Sequence, residues 1–193
     1  MTAPAKRRGD WIQTFTGRQF WPLDPKPEEI SIIDIAAGLA RECRFGGASL
    51  RFYSVAEHSV WMYREARGAR HLPARDCRAV LLHDASEGLG LRDIPRPIKR
   101  DFANYHAIED AVMRAVAARF DFDWPMESGL KSIDEAIGRA ELEQIMAPSR
   151  ASWGTQTTQF WSVAPLNVRI ECWAPDRAMI EFLSACAELD LLP

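Results

Sequence analysis

The chain has 193 residues, which is enough for one well-buried domain and short for two. Its 47% hydrophobic and 26% charged residues are the proportions of an ordinary globular protein. A net charge of −3 argues against a protein that coats nucleic acid, because such proteins usually carry a basic excess. It does not argue against a small anionic substrate, since one local cluster of cations can bind it.

The cysteines and the apolar segments bear on the compartment. Four cysteines are scattered along the chain without a CxxC spacing: Cys43, Cys77, Cys172 and Cys186. The basic start of the chain has no apolar run behind it, and no stretch approaches the roughly 20 apolar residues of a membrane span. We therefore expect a cytoplasmic protein with reduced cysteines, bound to neither membrane nor nucleic acid.

Helix signals dominate once an irregular N-terminal segment, residues 1–29, has ended. The predicted helices cover about 31–46, 54–66, 74–89, 101–120, 129–146 and 175–189. Two prolines predict a loop at Asp93–Pro97. Residues 148–170 are predicted to form a long loop with a short strand near Val168–Ile170. The sequence thus predicts an all-α protein, a single-domain helical bundle over residues 30–193.

Imidazole and carboxylate side chains mark a candidate metal site in this bundle. His83 and Asp84 follow the apolar run Ala79–Leu82, where an uncompensated ionisable pair would be costly. A divalent cation would compensate it, because both groups are typical ligands of first-row metals. His58 and Asp134, on two other predicted helices, could reach the same point. Alternatively, His58 is a hydrogen-bonded core residue and Asp134 an acidic residue favoured in a first helical turn.

A carboxylate and a basic loop follow this pair. Glu87 stands four residues after His83, one turn along the same predicted helix, where it could orient or deprotonate a metal-bound water. The alternative is a surface residue at a helix end. The segment Arg92–Arg100 holds four cations and one acid, which suit a phosphate, although a basic surface loop needs no function. We expect Asp93 and Lys99 to belong to the site.

The chain resembles the HD-domain phosphohydrolases in three segments and one aspartate: Tyr53–Ser59, His83–Glu87, Asp93–Lys99 and Asp134. The resemblance covers residues 30–146. It is nearest to the bacterial 5'-deoxynucleotidases and the small dNTP phosphohydrolases, some of which phages encode. It implies an HD-type domain with one divalent ion in its core, which could be Co, Mn, Zn, Fe or Mg.

The resemblance also implies a role for each site residue. The metal ligands that it implies are His58, His83, Asp84 and Asp134. Its catalytic acidic residues correspond to Glu87 and Asp93. Arg44 and Phe45 correspond to an Arg-aromatic pair that faces the nucleotide in the deoxynucleotidases. Lys99 and Arg44 would balance the charge of the phosphate.

The expected function is the hydrolysis of nucleotide phosphates, with 5'-deoxynucleotidase activity on dNMPs as the first hypothesis. The first alternative is a dNTP triphosphohydrolase, for example a dATPase that releases tripolyphosphate. A second is a metal-binding regulatory protein without turnover. A cyclic-nucleotide or alarmone hydrolase is disfavoured, because no second His-Asp pair could build a two-metal site. Relatives tend to be dimers or larger, so we expect a homo-oligomer. The Trp153–Trp161 segment and last-helix residues such as Ile180 and Phe182 could form its interface, or they could equally complete the core.

Overall fold

Helices dominate the computed structural model, which describes residues 7–99, 101–151 and 158–193. The α-helices of these residues are α1 (Ile32–Arg41), α2 (Val55–Arg64), α3 (Ala74–Leu81), α4 (Arg96–Lys99), α5 (Tyr105–Phe120), α6 (Ser128–Ile145), α7 (Thr158–Ser162) and α8 (Pro175–Glu188). Shorter turns of 3₁₀ or π geometry lie at Pro27–Glu29, Arg44–Gly47, Glu65–Ala69 and Glu87–Leu91. Together these elements form one predominantly helical domain.

A small β-ribbon departs from the all-α prediction. Its antiparallel strands are β1 (Ile12–Gln13) and β2 (Gln19–Phe20), and Phe20 is fully buried in the core. Thr16, between the strands, donates its backbone N–H to Asp34 at 2.7 Å. Asp34 lies in the first turn of α1, so one carboxylate fastens the ribbon to that helix.

The central helix is α2, which packs against α1, α3, α6 and α8. Ser54 caps it by accepting the backbone N–H of Glu57 at 3.1 Å. The Glu57 carboxylate accepts three consecutive backbone N–H groups of residues 171–173 at 3.0, 3.0 and 2.5 Å. These bonds fix the segment before α8 against α2. The next residue, His58, is consequently inside the bundle with no exposed surface.

Two predicted helices are too long, because the backbone turns earlier than the apolar pattern indicates. The first ends at Arg41 and not near residue 46, because Glu42 already has an extended backbone with a ψ of 127°. The predicted continuous helix 74–89 is also wrong. α3 ends at Leu81, residues 82–84 form a turn, and a π turn begins at Glu87.

The other helices are close to their predicted bounds. α6 and α8 confirm the helices predicted at 129–146 and 175–189. α5 begins at Tyr105, four residues later than predicted. The loop predicted at Asp93–Pro97 is shorter than expected, because α4 begins at Arg96 and Pro97 is compatible with its first turn. The predicted strand at 168–170 is wrong, and α7 lies inside the predicted loop. Residues 1–6 of the predicted N-terminal segment and 152–157 of that loop lie outside the described residues.

One contact between α1 and the π turn at Glu87–Leu91 involves backbone on both sides. A Cβ added to Gly38 would lie 1.9 Å from the carbonyl oxygen of Gly88. A Cβ added to Gly88 would lie 2.7 Å from the carbonyl oxygen of Ile35. Neither glycine can therefore accept a side chain without a backbone shift. Glu87, the neighbour of Gly88, is held at a fixed distance from α1.

The last helix, α8, has one buried face and one exposed face. On α8, Phe182 is fully buried, whereas Ile180 is 65% exposed. Phe182 thus completes the core, and an interface around Ile180 stays a prediction. All four cysteines are free thiols, as expected. Among the described residues, no helix combines the length and the apolar character that a membrane crossing requires.

Candidate metal centre and adjoining cavity

Three predicted ligands meet inside the bundle, each from a different element. His58 comes from α2, His83 from the turn after α3 and Asp134 from α6, and their ligand atoms all lie within 4.8 Å of one another. His58 Nε2 is 3.4 Å from His83 Nε2 and 3.4 Å from Asp134 Oδ1. Two imidazoles and a carboxylate at these distances could hold a metal ion.

Asp84 borders this cluster. Its Oδ2 lies 3.0 Å from His83 Nε2 and 4.0 Å from His58 Nε2. Burial by itself would lower the pKa of His83, but the charges of Asp84 and Asp134 outweigh it and raise that pKa to about 9. Burial would raise the pKa of both aspartates, yet the neighbouring histidines hold it well below its usual range. Both carboxylates are therefore ionised at neutral pH.

The hydrogen bonds of the two imidazoles define which nitrogen is available to a cation. His58 Nδ1 lies 2.6 Å from Glu141 Oε1, and His83 Nδ1 lies 2.8 Å from the carbonyl oxygen of Val80. Both partners accept hydrogen bonds, so each Nδ1 carries a proton. The two Nε2 atoms, 3.4 Å apart, are then the ring nitrogens left for a cation. A divalent ion would displace the second proton of His83 and bind both Nε2 lone pairs, so the donor set fits such an ion.

Glu141 is a site residue that sequence reasoning missed. It is fully buried, its Oε1 accepts from the Tyr53 hydroxyl at 2.9 Å, and its Oε2 lies 3.1 Å from Arg44 Nη2. The available signal was spacing, because Glu141 follows Asp134 by seven residues and lies two turns along the same face of α6. A charged residue on a helix face shared with core residue Ile137 indicates a specific partner.

The predicted Arg-aromatic pair reaches this site. Arg44 Nη1 is 3.5 Å from Asp84 Oδ2, so the guanidinium lies between Asp84 and Glu141. The Phe45 ring is 5.3 Å from the Arg44 guanidinium carbon. With a φ of 58°, Phe45 adopts the left-handed conformation, which costs a non-glycine residue about 1–2 kcal/mol. Other groups must therefore hold the backbone of Phe45 in this conformation.

Two carboxylates supply that restraint. Asp93 Oδ2 accepts the backbone N–H of Phe45 at 2.9 Å. Glu42 in turn accepts the backbone N–H of Asp93 at 3.2 Å and the Arg92 guanidinium at 2.6 Å. The segments around residues 45 and 93 are therefore tied together by hydrogen bonds in both directions. Asp93 reaches the site, but its observed contact is with the backbone of Phe45.

Glu87 combines burial with a raised pKa. Its side chain is buried, and its Oε2 has no hydrogen-bond partner among the described residues. Burial, followed by the charges of Asp84 and Asp93, raises the pKa of Glu87 well above its usual range. The predicted helical continuity between His83 and Glu87 is wrong, although the intervening turn still keeps Glu87 close to Asp84: its backbone N–H donates to the Asp84 carbonyl at 3.0 Å.

Lys99 is close enough to Glu87 for its charge to oppose the rise of that carboxyl's pKa, and its contact with a phosphate stays a prediction. Its Nζ lies 2.6 Å from Glu109 Oε1 and 5.2 Å from the centre of the Tyr105 ring. Glu109 on α5 is therefore the ion-pair partner of Lys99. The sequence pattern does not reveal this tertiary contact. Arg100 and the side chain of Arg96 lie outside the described part of the chain.

A cavity of about 370 Å³ adjoins the cluster. Its described lining is Arg44, Phe45, Ala48, Asp93, Ile94, Pro95, Pro97, Asp134, Gly138, Glu141, Leu142, Met146 and Phe160. Charged groups of the site form one part of this lining, and aromatic, aliphatic and proline side chains form the rest. Both the volume and the mixture of many apolar groups with a few polar ones are typical of small-molecule sites.

Comparison with known proteins gives a family without a stated activity. The uncharacterized protein RCAP_rcc00048 of Rhodobacter capsulatus is 36% identical over 149 residues, which cover 73% of this chain and 76% of that protein. The chain belongs to the same family as RCAP_rcc00048. The uncharacterized protein YfdR of Escherichia coli K12 is 29% identical over 160 residues, which cover 81% of this chain and 86% of YfdR. No family model matches the chain.

Proposed function

We propose that this member of the RCAP_rcc00048 family is a metal-dependent phosphohydrolase of the HD-domain type. We further propose that it acts as a 5'-deoxynucleotidase, which converts a deoxynucleoside monophosphate and water to a deoxynucleoside and phosphate. The observation that carries the proposal is the position of the His58–His83–Asp134 cluster beside a cavity with mainly apolar walls. Asp134 belongs to both. A phosphate at the charged end would leave the base and sugar against the apolar walls.

Each residue then has a definite task. His58, His83, Asp84 and Asp134 would hold a divalent ion, which supplies charge neutralisation at phosphorus and acidifies water. Arg44 binds a phosphoryl oxygen. Glu87 accepts a proton from the attacking water and delivers a proton to the leaving 5'-oxygen. One P–O bond forms to the oxygen of water, and the bond from phosphorus to the 5'-oxygen breaks.

Two features of the cavity favour a monophosphate over a triphosphate. Its volume is near the lower end of the range of about 300–1,000 Å³ for ligand sites. Arg44 is the one cation among the described lining residues, and two carboxylates already pair with it. A triphosphate carries more charge and would require more cations. Glu87 supports turnover over a purely regulatory role, since a buried carboxyl oxygen without a partner stabilises no part of the fold.

The test is a substrate panel. Protein loaded with Co, Mn, Zn, Fe or Mg is incubated with dNMPs, NMPs and dNTPs, and phosphate and tripolyphosphate are separately quantified. We expect phosphate from dNMPs. An Asp84→Ala variant should lose both bound metal and phosphate release, while Asp176→Asn, at an exposed aspartate, should behave as wild type. Retention of metal by Asp84→Ala contradicts the ligand set; release of tripolyphosphate alone, or no release with any metal, contradicts the proposed activity.

A further inference from the structure

We propose that Glu141 is a positioning residue that joins the metal centre to the substrate-binding arginine. Its Oε1 orients His58 and its Oε2 orients Arg44. The first half of this inference stands on the metal cluster alone, and the second half rests on the proposed function, since it assumes that Arg44 binds the phosphate.

The geometry assigns the two oxygens of Glu141 to two different parts of the site. Oε1 lies 2.6 Å from His58 Nδ1 and also accepts the Tyr53 hydroxyl at 2.9 Å. Oε2 lies 3.1 Å from Arg44 Nη2. Glu141 itself has no exposed surface. A buried carboxylate is costly unless several donors satisfy it, and here three donors do so.

The contact between Glu141 and His58 affects metal binding, as a comparison of the Nδ1 acceptors of His58 and His83 shows. The Nδ1 of His83 donates to a neutral backbone carbonyl, whereas the Nδ1 of His58 donates to a carboxylate. A carboxylate at the far nitrogen fixes the tautomer and makes the near nitrogen a stronger ligand. His58 should therefore be the more strongly donating imidazole of the two.

The contact with Arg44 fixes the direction of its guanidinium. Arg44 Nη1 faces Asp84 at 3.5 Å, and Nη2 faces Glu141 at 3.1 Å. With both ends held, the planar group cannot rotate away from the metal cluster. One substitution at Glu141 should therefore weaken both metal binding and substrate binding. Substitution of its other partner, Tyr53, should remove one hydrogen bond and leave the carboxylate in place.

The experiment compares Glu141→Gln with Tyr53→Phe and with Glu143→Gln, a half-exposed glutamate on the same helix. Zn²⁺ affinity of the metal-stripped full-length protein is measured by competition with a chelating dye, and KM and kcat are measured with a dNMP at saturating metal. We expect Glu141→Gln to weaken Zn²⁺ binding by about 10–100-fold and to raise KM. Glu143→Gln should match the wild type, and Tyr53→Phe should change the Zn²⁺ affinity far less than Glu141→Gln.

A measurement on the wild type keeps the inference testable if Glu141→Gln does not fold. Nitrogen-15 NMR of the zinc-loaded protein should show a protonated Nδ1 and a zinc-bound Nε2 on His58. The chain has four histidines, and His71→Gln and His106→Gln variants identify the signals of the two that lie outside the cluster. Zinc on the Nδ1 of His58 would overturn the orientation by Glu141.

The outcomes separate this inference from the proposed function. Unchanged Zn²⁺ affinity in Glu141→Gln overturns the inference for His58, whatever the activity. Weakened affinity with an unchanged KM at saturating metal overturns it for Arg44. Weakened affinity in a protein whose wild type hydrolyses no nucleotide supports the orientation of His58 and overturns the proposed function.

Discussion

The metal cluster takes its side chains from α2, α6 and the turn after α3, whereas much of the cavity wall comes from two connecting segments, residues 44–48 and 93–97. On the metal side, His58 lies on the central helix with no exposed surface. On the cavity side, Phe45 has a left-handed backbone that the Asp93 carboxylate holds in place. Helix packing places the first group of residues, and hydrogen bonds to Glu141 and Val80 orient its two imidazoles. Hydrogen bonds between the two connecting segments position the second group.

Because the two groups are positioned differently, we expect substitutions in them to impair different properties of the protein. Substitutions beside the metal should remove the chemistry or the metal itself, because the surrounding helices cannot readjust. Substitutions that release the connecting segments should leave the chemistry intact and weaken substrate binding, because those segments shape the cavity.

The largest effect is expected for Glu87→Gln. Under the proposed mechanism this change removes the proton-transfer group and should lower kcat by about 10²–10⁴-fold, while metal stoichiometry stays that of the wild type. Steady-state kinetics and metal analysis on the same preparation measure both. A kcat close to that of the wild type would remove Glu87 from the mechanism, and a loss of metal would make it a ligand.

The metal side should also show a pH dependence of stability. In the metal-free folded protein the pKa of His83 is raised from 6.5 to about 9. Folding therefore favours its protonated form, and this stabilisation is complete below pH 6.5 and disappears as the pH rises through 9. We expect the free energy of unfolding in EDTA to fall over this window by at most a few kcal/mol. Urea titrations at several pH values measure it.

A His83→Gln variant is the control for that prediction, because it removes the titrating ring. Its stability in EDTA should change less between pH 6.5 and 9 than that of the wild type. Equal slopes for the two proteins would show that His83 does not carry the raised pKa. Metal affinity should follow the opposite trend and rise with pH, since protons compete for the same nitrogen.

On the cavity side, Asp93→Ala should raise KM about tenfold and change kcat by no more than a few-fold. The reason is the loss of the hydrogen bond to the Phe45 N–H, since a bond to a charged group contributes about 1.5–3 kcal/mol. Glu42→Ala should produce a similar change through Asp93. A hundredfold fall in kcat at constant KM would instead give Asp93 the catalytic role that the resemblance implies.

The smallest effect is expected away from both sides of the site. Ile180→Ser should change the free energy of unfolding by less than about 0.5 kcal/mol, because this side chain is mostly exposed. Phe182→Ala, two residues further on the same helix, should cost about 3–5 kcal/mol. Sedimentation analysis of Ile180→Ser also tests the predicted homo-oligomer: a dissociated variant would place the interface on this face.

The sequence allowed much of the metal side to be predicted, because its information is local. His58 lies four residues after the helix-capping Ser54, and His83 follows a run of four apolar residues that are all buried. Such patterns place a side chain on a helix and inside a core. Glu141 has a similar local signal, the spacing of seven from Asp134, but its three partners come from distant parts of the chain.

The cavity side was less predictable, because its geometry depends on contacts between residues that are distant in the sequence. The left-handed backbone at Phe45 depends on a carboxylate 48 residues away, and nothing in the neighbouring residues indicates it. Lys99 pairs with Glu109, although its position in a basic segment favoured a phosphate contact. The end of α3 at Leu81 is likewise hidden, because the apolar run continues through Leu82 without a helix-breaking residue.

The contact between Gly38 and Gly88 connects α1 to the reactivity of the site. A methyl group at either glycine would act as a steric wedge on the backbone next to Glu87, while it touches neither the metal ligands nor the cavity lining. Under the proposed function, a substitution in the first helix should therefore alter turnover through the position of Glu87. Because an added side chain at either position meets backbone atoms, we expect both glycines to be retained within the family.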